Sequence, residues 1–302
     1  MSALATFALA VALTAAGPGD RATLDSLADA TARDIGRFAD KRIAIAEGYR
    51  RVGTDFPGMG EHWIHPAALL SGALDSRRPT MLSYATIAGR PTLLGAGFLV
   101  TTTGDAAADV PGWPAHWHEH SGLLTDESGV NTSVHAPGAQ TTHVWVLHIW
   151  TALPNPSGRY DADNWTLPFA RAGLVAPTTV DHDAARAGSL TVGAGDDYLR
   201  SMLTLSGLRT AATERAVDST ISDATVAAAA LLDGARASGA VSPSDVDALR
   251  AVWTTLRERL RATLGAAVEP LLTPPPAHRH AHDQALAAPP PTRRSGTAPP
   301  NR

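Results

Sequence analysis

The chain changes its hydrophobic periodicity along its length. Three apolar segments in its first half are short and rich in β-branched and aromatic residues, a composition typical of strands. They cover residues 81–87, 92–103 and 142–150. Beyond residue 196 apolar residues recur every three or four positions, as in amphipathic helices, and a similar pattern covers residues 23–47. The order predicts an α+β fold with an N-terminal helix, a small antiparallel β-sheet or partial barrel, and a C-terminal helical hairpin.

Glycine and proline mark the connections between these segments. Residues 88–91 join the first two strand-like segments, which we therefore expect to form a β-hairpin. Gly95 and Gly97 lie inside the second of them and indicate a bulge or a close approach by another backbone. The sequence Ser242-Pro243-Ser244-Asp245 predicts a helix start with an N-cap, a proline in the first turn and an acid at the third position.

The same patterns divide the chain into four parts. Residues 3–16 are an apolar run that resembles the hydrophobic region of a secretory signal, although no basic residue precedes it. We therefore predict a signal peptide over 1–17 and an exported protein. A histidine-rich α+β domain is predicted over 18–180 and a helical hairpin over 196–272. A proline- and histidine-rich tail without apolar periodicity is predicted to be disordered over 273–302.

Composition narrows the chemistry available to the chain. It has no cysteine, so disulfides, thiolate nucleophiles and sulfur-rich metal sites are excluded, and any metal must be bound by His, Asp or Glu. The formal charge of -4 gives no basic field for a polyanion, and nucleic acid is not an expected partner. No segment is predicted to form a stable transmembrane span. The helical hairpin is a candidate surface for homo-oligomerisation.

The richest source of candidate metal ligands is the run His116-Trp117-His118-Glu119-His120. Nearby prolines and glycine favour an extended conformation, in which the three histidines share one face and two of them can reach one ion. A helical conformation would instead pair the first and last of them. An exposed polar loop without metal is the simplest alternative.

Two other segments supply histidines. His62 and His65 are three residues apart, a spacing that suits one helical turn around an ion, or else a tight turn that satisfies a lone ring. His148 lies in the strand-like segment 142–150 and shares a face with the apolar residues of that segment. A ring in such a position needs a hydrogen-bond partner or a metal.

Four short motifs carry a resemblance to a known group of proteins. They read GMGEHWIHP at 58–66, LDSRRP at 74–79, LHIW at 147–150, and NPSG at 155–158 followed by Trp165. In this order they resemble the GMGxHYxNP, LDPxRPE, LHVW and NPxGxFADWNP motifs of a widespread group of uncharacterised exported bacterial proteins. The resemblance implies that His62 and His148 are the shared histidines. The chain departs from the pattern at Trp63, His65 and Ser76, and the 116–120 run has no counterpart in it.

These observations predict an exported protein that binds one divalent transition metal, Zn, Cu, Ni, Fe or Mn, through a histidine cluster. The candidate ligands are His62, His116, His118, His120 and His148. Three protein ligands would leave a coordination position open, with Glu119 or Glu61 as candidate general bases. The alternative is a non-catalytic oligomeric envelope or scaffold protein in which the histidines and tryptophans are structural.

Overall fold

The structure is a computed structural model that describes residues 18–103, 110, 113, 116–120, 142–193 and 195–272. Its architecture is α+β, as the sequence predicts. The strands are β1 (Arg50–Phe56), β2 (Gly60–Ile64), β3 (Met81–Ile87), β4 (Arg90–Thr103), β5 (His118–His120) and β6 (Thr142–Trp150). The helices are α1 (Pro18–Ile35), α2 (Lys41–Ala46), α3 (Pro66–Ser71), α4 (Leu167–Arg171), α5 (His182–Ser189), α6 (Gly195–Leu205), α7 (Glu214–Ser238), α8 (Pro243–Leu264) and α9 (Glu269–Leu272).

The strands form one antiparallel sheet in the order β1-β2-β3-β4-β6-β5. The predicted hairpin is confirmed as β3 and β4, and Ala88 and Gly89 form its turn with φ of 50° and 73°. Two consecutive residues with positive φ match the right-handed twist of the flanking strands. The sequence analysis did not predict strands β1 and β2, which are joined by a turn that contains Pro57 and Gly58.

The periodicity of residues 23–47 predicts one continuous helix, but the structure has two helices there. Helix α1 ends at Ile35, a short 3₁₀ turn covers Gly36–Ala39, and α2 begins after Asp40. The Asp40 carboxylate accepts a hydrogen bond from the Arg42 backbone N–H at 3.0 Å, which caps the new helix. Glycine loses more conformational entropy in a helix than other residues, and Gly36 stands at the point where α1 gives way to the 3₁₀ turn.

The two faces of the sheet differ in what they pack against. One face carries Leu82, Tyr84, Phe98 and Leu147 and packs on the N-terminal helices through Phe38. The other face carries the row Val52, His62, Ser83, Gly95 and Trp150, which the strand register places side by side. Histidines 118 and 148 belong to this second face as well, through pairing with Val146 and Gly97.

The C-terminal helices form a second core of their own. The predicted stripes on α7 and α8 are buried against each other and against α5, with Ile221, Leu249 and Leu256 at most 1% exposed. The predicted helix start at residue 242 is also confirmed, since Ser242 and Asp245 form a capping box. Phe169 on α4 already belongs to this core, so the helical packing begins well before residue 196. None of the helices in the described ranges is long and apolar enough to cross a bilayer.

A buried ion pair connects the sheet to the helical core. Both terminal nitrogens of Arg171 on α4 donate to the carboxylate of Asp55 on β1, at 2.9 and 2.5 Å. The arginine side chain is 2% exposed and the carboxylate 15%. Such a fork-like pair fixes orientation as well as distance.

Replacing Asp55 by Asn should lower the free energy of unfolding by about 3–5 kcal/mol, because it leaves the Arg171 cation buried beside a neutral partner. Urea denaturation measures the change. Asp223→Asn is the matched control, since its pair with Arg259 is exposed on both sides and should change stability little. Equal effects of the two variants would contradict a structural role for the buried pair.

Candidate functional site

Three histidines from distant parts of the sequence meet on the second face of the sheet. His62 lies on β2, His118 on β5 and His148 on β6, and they are 3%, 4% and 2% exposed. The ring centre of His148 is 5.6 Å from that of His62 and 5.2 Å from that of His118. We call these three residues the histidine group.

The meeting of His62 and His148 depends on small residues between them. Strands β3 and β4 separate the two histidines, so their backbones lie about 14 Å apart across the sheet. The intervening strands carry Ser83, Gly95 and Gly97 at this level of the sheet. Because Ser83 and Gly95 have little or no side chain, the two imidazoles can extend towards each other over them. The space above Gly97 is occupied by the Met81 side chain.

Gly95 also permits a close approach of backbones. A Cβ atom at this position would collide with the carbonyl oxygen of Ile149 on β6. A Cβ atom at Gly97 would instead meet the terminal methyl group of Met81. The register of β3 shifts between Ser83 and Tyr84. The close approach and the bulge predicted from these glycines are therefore both present.

Aromatic rings surround the histidine group. The Phe56 ring lies 5.0 Å from His62, and the Trp150 ring stacks with His148 at 6.1 Å and 16°. Phe56 in turn contacts Tyr198 of α6 at 5.6 Å, so the helical part of the chain covers this edge of the site. The contacts of His62 and His148 that these rings provide are therefore aromatic.

The spacing of the rings can be compared with that of a metal site. Imidazoles on one tetrahedral ion, with metal–nitrogen bonds of about 2.1 Å, have ring centres roughly 5 Å apart. The two ring separations in the structure, 5.6 and 5.2 Å, are close to this value. In the part of the chain that the structure describes, however, no three His, Asp or Glu side chains form a ready-made ligand set. The rings are neighbours, and their nitrogens would have to turn to share one ion.

The remaining residues of the 116–120 run have different positions. His116 lies 5.7 Å from the Tyr160 ring, and the adjacent Trp117 is buried in the core beneath the N-terminal helices. His116 is therefore not part of the histidine group. The backbone of Glu119 and His120 pairs with Trp145 and Val144 in the predicted extended conformation. Their side chains lie outside the described residues.

Glu61 lies on the opposite face of the sheet from the histidine group. Its carboxylate pairs with Lys41, accepts a hydrogen bond from Trp63 Nε1 at 3.0 Å and lies 3.4 Å from Arg51. Burial alone would raise the pKa of Glu61, but the hydrogen bonds from Lys41 and Trp63 outweigh it and hold the pKa below its usual value. The carboxylate is thus an ion-pair partner that holds α2 to the sheet, and its assignment as a general base is not supported.

His65 has a structural role. It caps α3, with Nδ1 accepting the Ala68 N–H at 3.1 Å and Nε2 lying 3.0 Å from the Glu47 carbonyl oxygen. The helical-turn pairing of His62 with His65 is therefore wrong, because His62 is in a strand and His65 in the following cap. The other interpretation of this spacing, a ring satisfied by backbone groups, is confirmed.

The loops that carry the glycine and NPSG motifs lie against each other. The Asn164 N–H donates to the Gly58 carbonyl at 2.8 Å, and a Cβ at Gly58 would lie 3.3 Å from the Trp165 ring. Gly60 has φ of 80°, and a Cβ there would collide with the Tyr84 carbonyl oxygen. Sequence analysis gave these residues no role. They fix the turn that leads into β2 and thereby position His62.

Comparisons with protein-family models, with curated proteins and with solved structures gave no match.

Gly95→Ala should disturb the β4–β6 pairing and displace His148, because its new methyl group meets backbone. We expect a loss of at least about 2 kcal/mol in the free energy of unfolding, at the upper end of what overpacking costs. Gly97→Ala is the control on the same strand, where a flexible methionine can move aside. Thermal melts of both variants measure the difference, and a Gly97 variant as unstable as the Gly95 variant would contradict this account.

His65→Ala should destabilise the fold by about 0.5–2 kcal/mol, since it removes the cap of α3. His65→Asn restores the cap acceptor and should recover part of the loss. Chemical denaturation of the two variants tests the prediction. If Asn is no better than Ala, the cap does not explain the contribution of His65.

Proposed function

We propose that the chain binds one divalent transition metal ion through His62, His118 and His148. The observation that carries the proposal is the burial of three imidazoles side by side on one face of the sheet. An ion bound between the three rings would use them as ligands once their nitrogens turn towards it.

The donor set narrows the class of ion. Nitrogen ligands without sulfur suit Zn, Cu(II), Ni or a non-haem Fe or Mn centre. No general base is assigned, since Glu61 is engaged elsewhere. The proposed activity is therefore metal binding, and a catalytic step is not part of it.

The proposed setting is outside the cytoplasm, in line with the apolar run at residues 3–16 and the resemblance to exported bacterial proteins. Self-association through the C-terminal helices remains a second hypothesis. The apolar stripes of α7 and α8 supported this hypothesis, but in the structure they are largely buried within the chain itself. Light scattering with and without a chelator distinguishes a metal-independent oligomer from a metal-binding monomer.

Metal analysis tests the proposal directly. Full-length protein purified without an affinity tag should bind one equivalent of Zn(II) or Co(II), and His148→Ala should lose it. A ligand at 100 times its dissociation constant stabilises the folded state by about 2.7 kcal/mol, so the wild type should melt at a higher temperature with metal and the variant should not respond.

Two controls separate the histidine group from other histidines. His116→Ala removes a histidine from the same run that lies apart from the group, and it should keep one equivalent. Replacing His278, His280 and His282 together removes the spaced histidines of the C-terminal tail. A wild type that cannot be loaded, or binding that disappears only with the tail histidines, would reject the proposal.

A further inference from the structure

Ser83 places a buried hydroxyl beside the histidine group. The residue is 2% exposed, and its Oγ has no hydrogen-bond partner among the described residues. Buried hydroxyl groups are normally hydrogen-bonded, and an exception calls for an explanation such as a bound ligand. The position of Ser83 in the sheet suggests what that ligand contacts.

Ser83 is the direct cross-strand partner of His62 on one side and of Gly95 on the other. Directly opposed residues of an antiparallel pair have Cβ atoms about 5 Å apart and project from the same face. The hydroxyl thus lies on the face of the histidine group, on one of the two strands that separate His62 from His148. Gly95 contributes no side chain that could satisfy it.

A buried hydroxyl without a partner is not by itself a sign of a site. Thr31 on α1 is fully buried, and its Oγ1 likewise has no partner in the described part of the chain. It belongs to the opposite side of the sheet, where α1 packs. What distinguishes Ser83 is its pairing with a residue of the histidine group, and Thr31 therefore serves as the natural control.

We propose that Ser83 donates a hydrogen bond to a small anion or water molecule bound next to the metal ion. The inference rests on the proposed metal site and extends it. Three protein ligands leave a position of a four-coordinate ion open. A hydroxyl at the edge of that position would orient the external ligand, and the bond is stronger when the ligand is an anion. The site is then an open one, and Ser83 is its positioning residue.

Azide binding to the Co(II)-loaded full-length protein tests this. The visible spectrum of the cobalt protein should change saturably with azide. Ser83→Ala should weaken azide binding about tenfold or more, as expected for loss of a hydrogen bond to a charged group, while Co(II) affinity stays within about threefold. Ser83→Gly should show the same loss, Ser83→Thr should restore binding, and Thr31→Val should behave as the wild type.

The possible outcomes separate this inference from the proposal beneath it. Cobalt uptake with no azide response, or with equal azide affinity in the Ser83→Ala and wild-type proteins, overturns the role of Ser83 and leaves the metal site standing. Loss of azide binding in Thr31→Val would assign the effect to general destabilisation and also overturn it. A wild type that takes up no Co(II) overturns both.

Discussion

The candidate site depends on the lack of side-chain volume above the middle of the sheet. His62 and His148 are on strands that do not touch, and two strands with bulky residues at this level would hold their rings apart. Ser83 and Gly95 remove that barrier, whereas the space above Gly97 is occupied by Met81. The backbone contact at Gly95 also sets the position of β6. The same absence of side chains therefore determines both the strand packing and the distance between the imidazoles.

Much of the fold could be predicted because local patterns agreed with the final structure. The β3–β4 hairpin, strand β6 and helices α7 and α8 have clear periods of two or of three to four, and Ser242 marks a helix start by its own chemistry. The break between α1 and α2 was missed because apolar residues continue at helical spacing through it. The cap at Asp40 and the glycine before it gave the only local signal.

The candidate site could be predicted only in part. The sequence identified His118 and His148 as candidate ligands, but it also paired His62 with His65. In the structure His62 lies in strand β2 and His65 is the N-cap of helix α3. That error arose because β2 is five residues long and flanked by turn residues, so its alternation was too short to recognise. Neither Ser83 nor the glycines of β4 could be linked to the histidines, since their relation depends on the strand order and not on sequence distance.

The histidine group joins β2, β5 and β6, whose positions in the sheet span five of its six strands. No two of these histidines lie on strands joined by a short turn, so the group exists only after the five strands from β2 to β5 have paired. Metal capture at this site would thus report completed folding. A nascent or partly unfolded chain would offer only isolated imidazoles, which would bind the proposed ion more weakly than the assembled group.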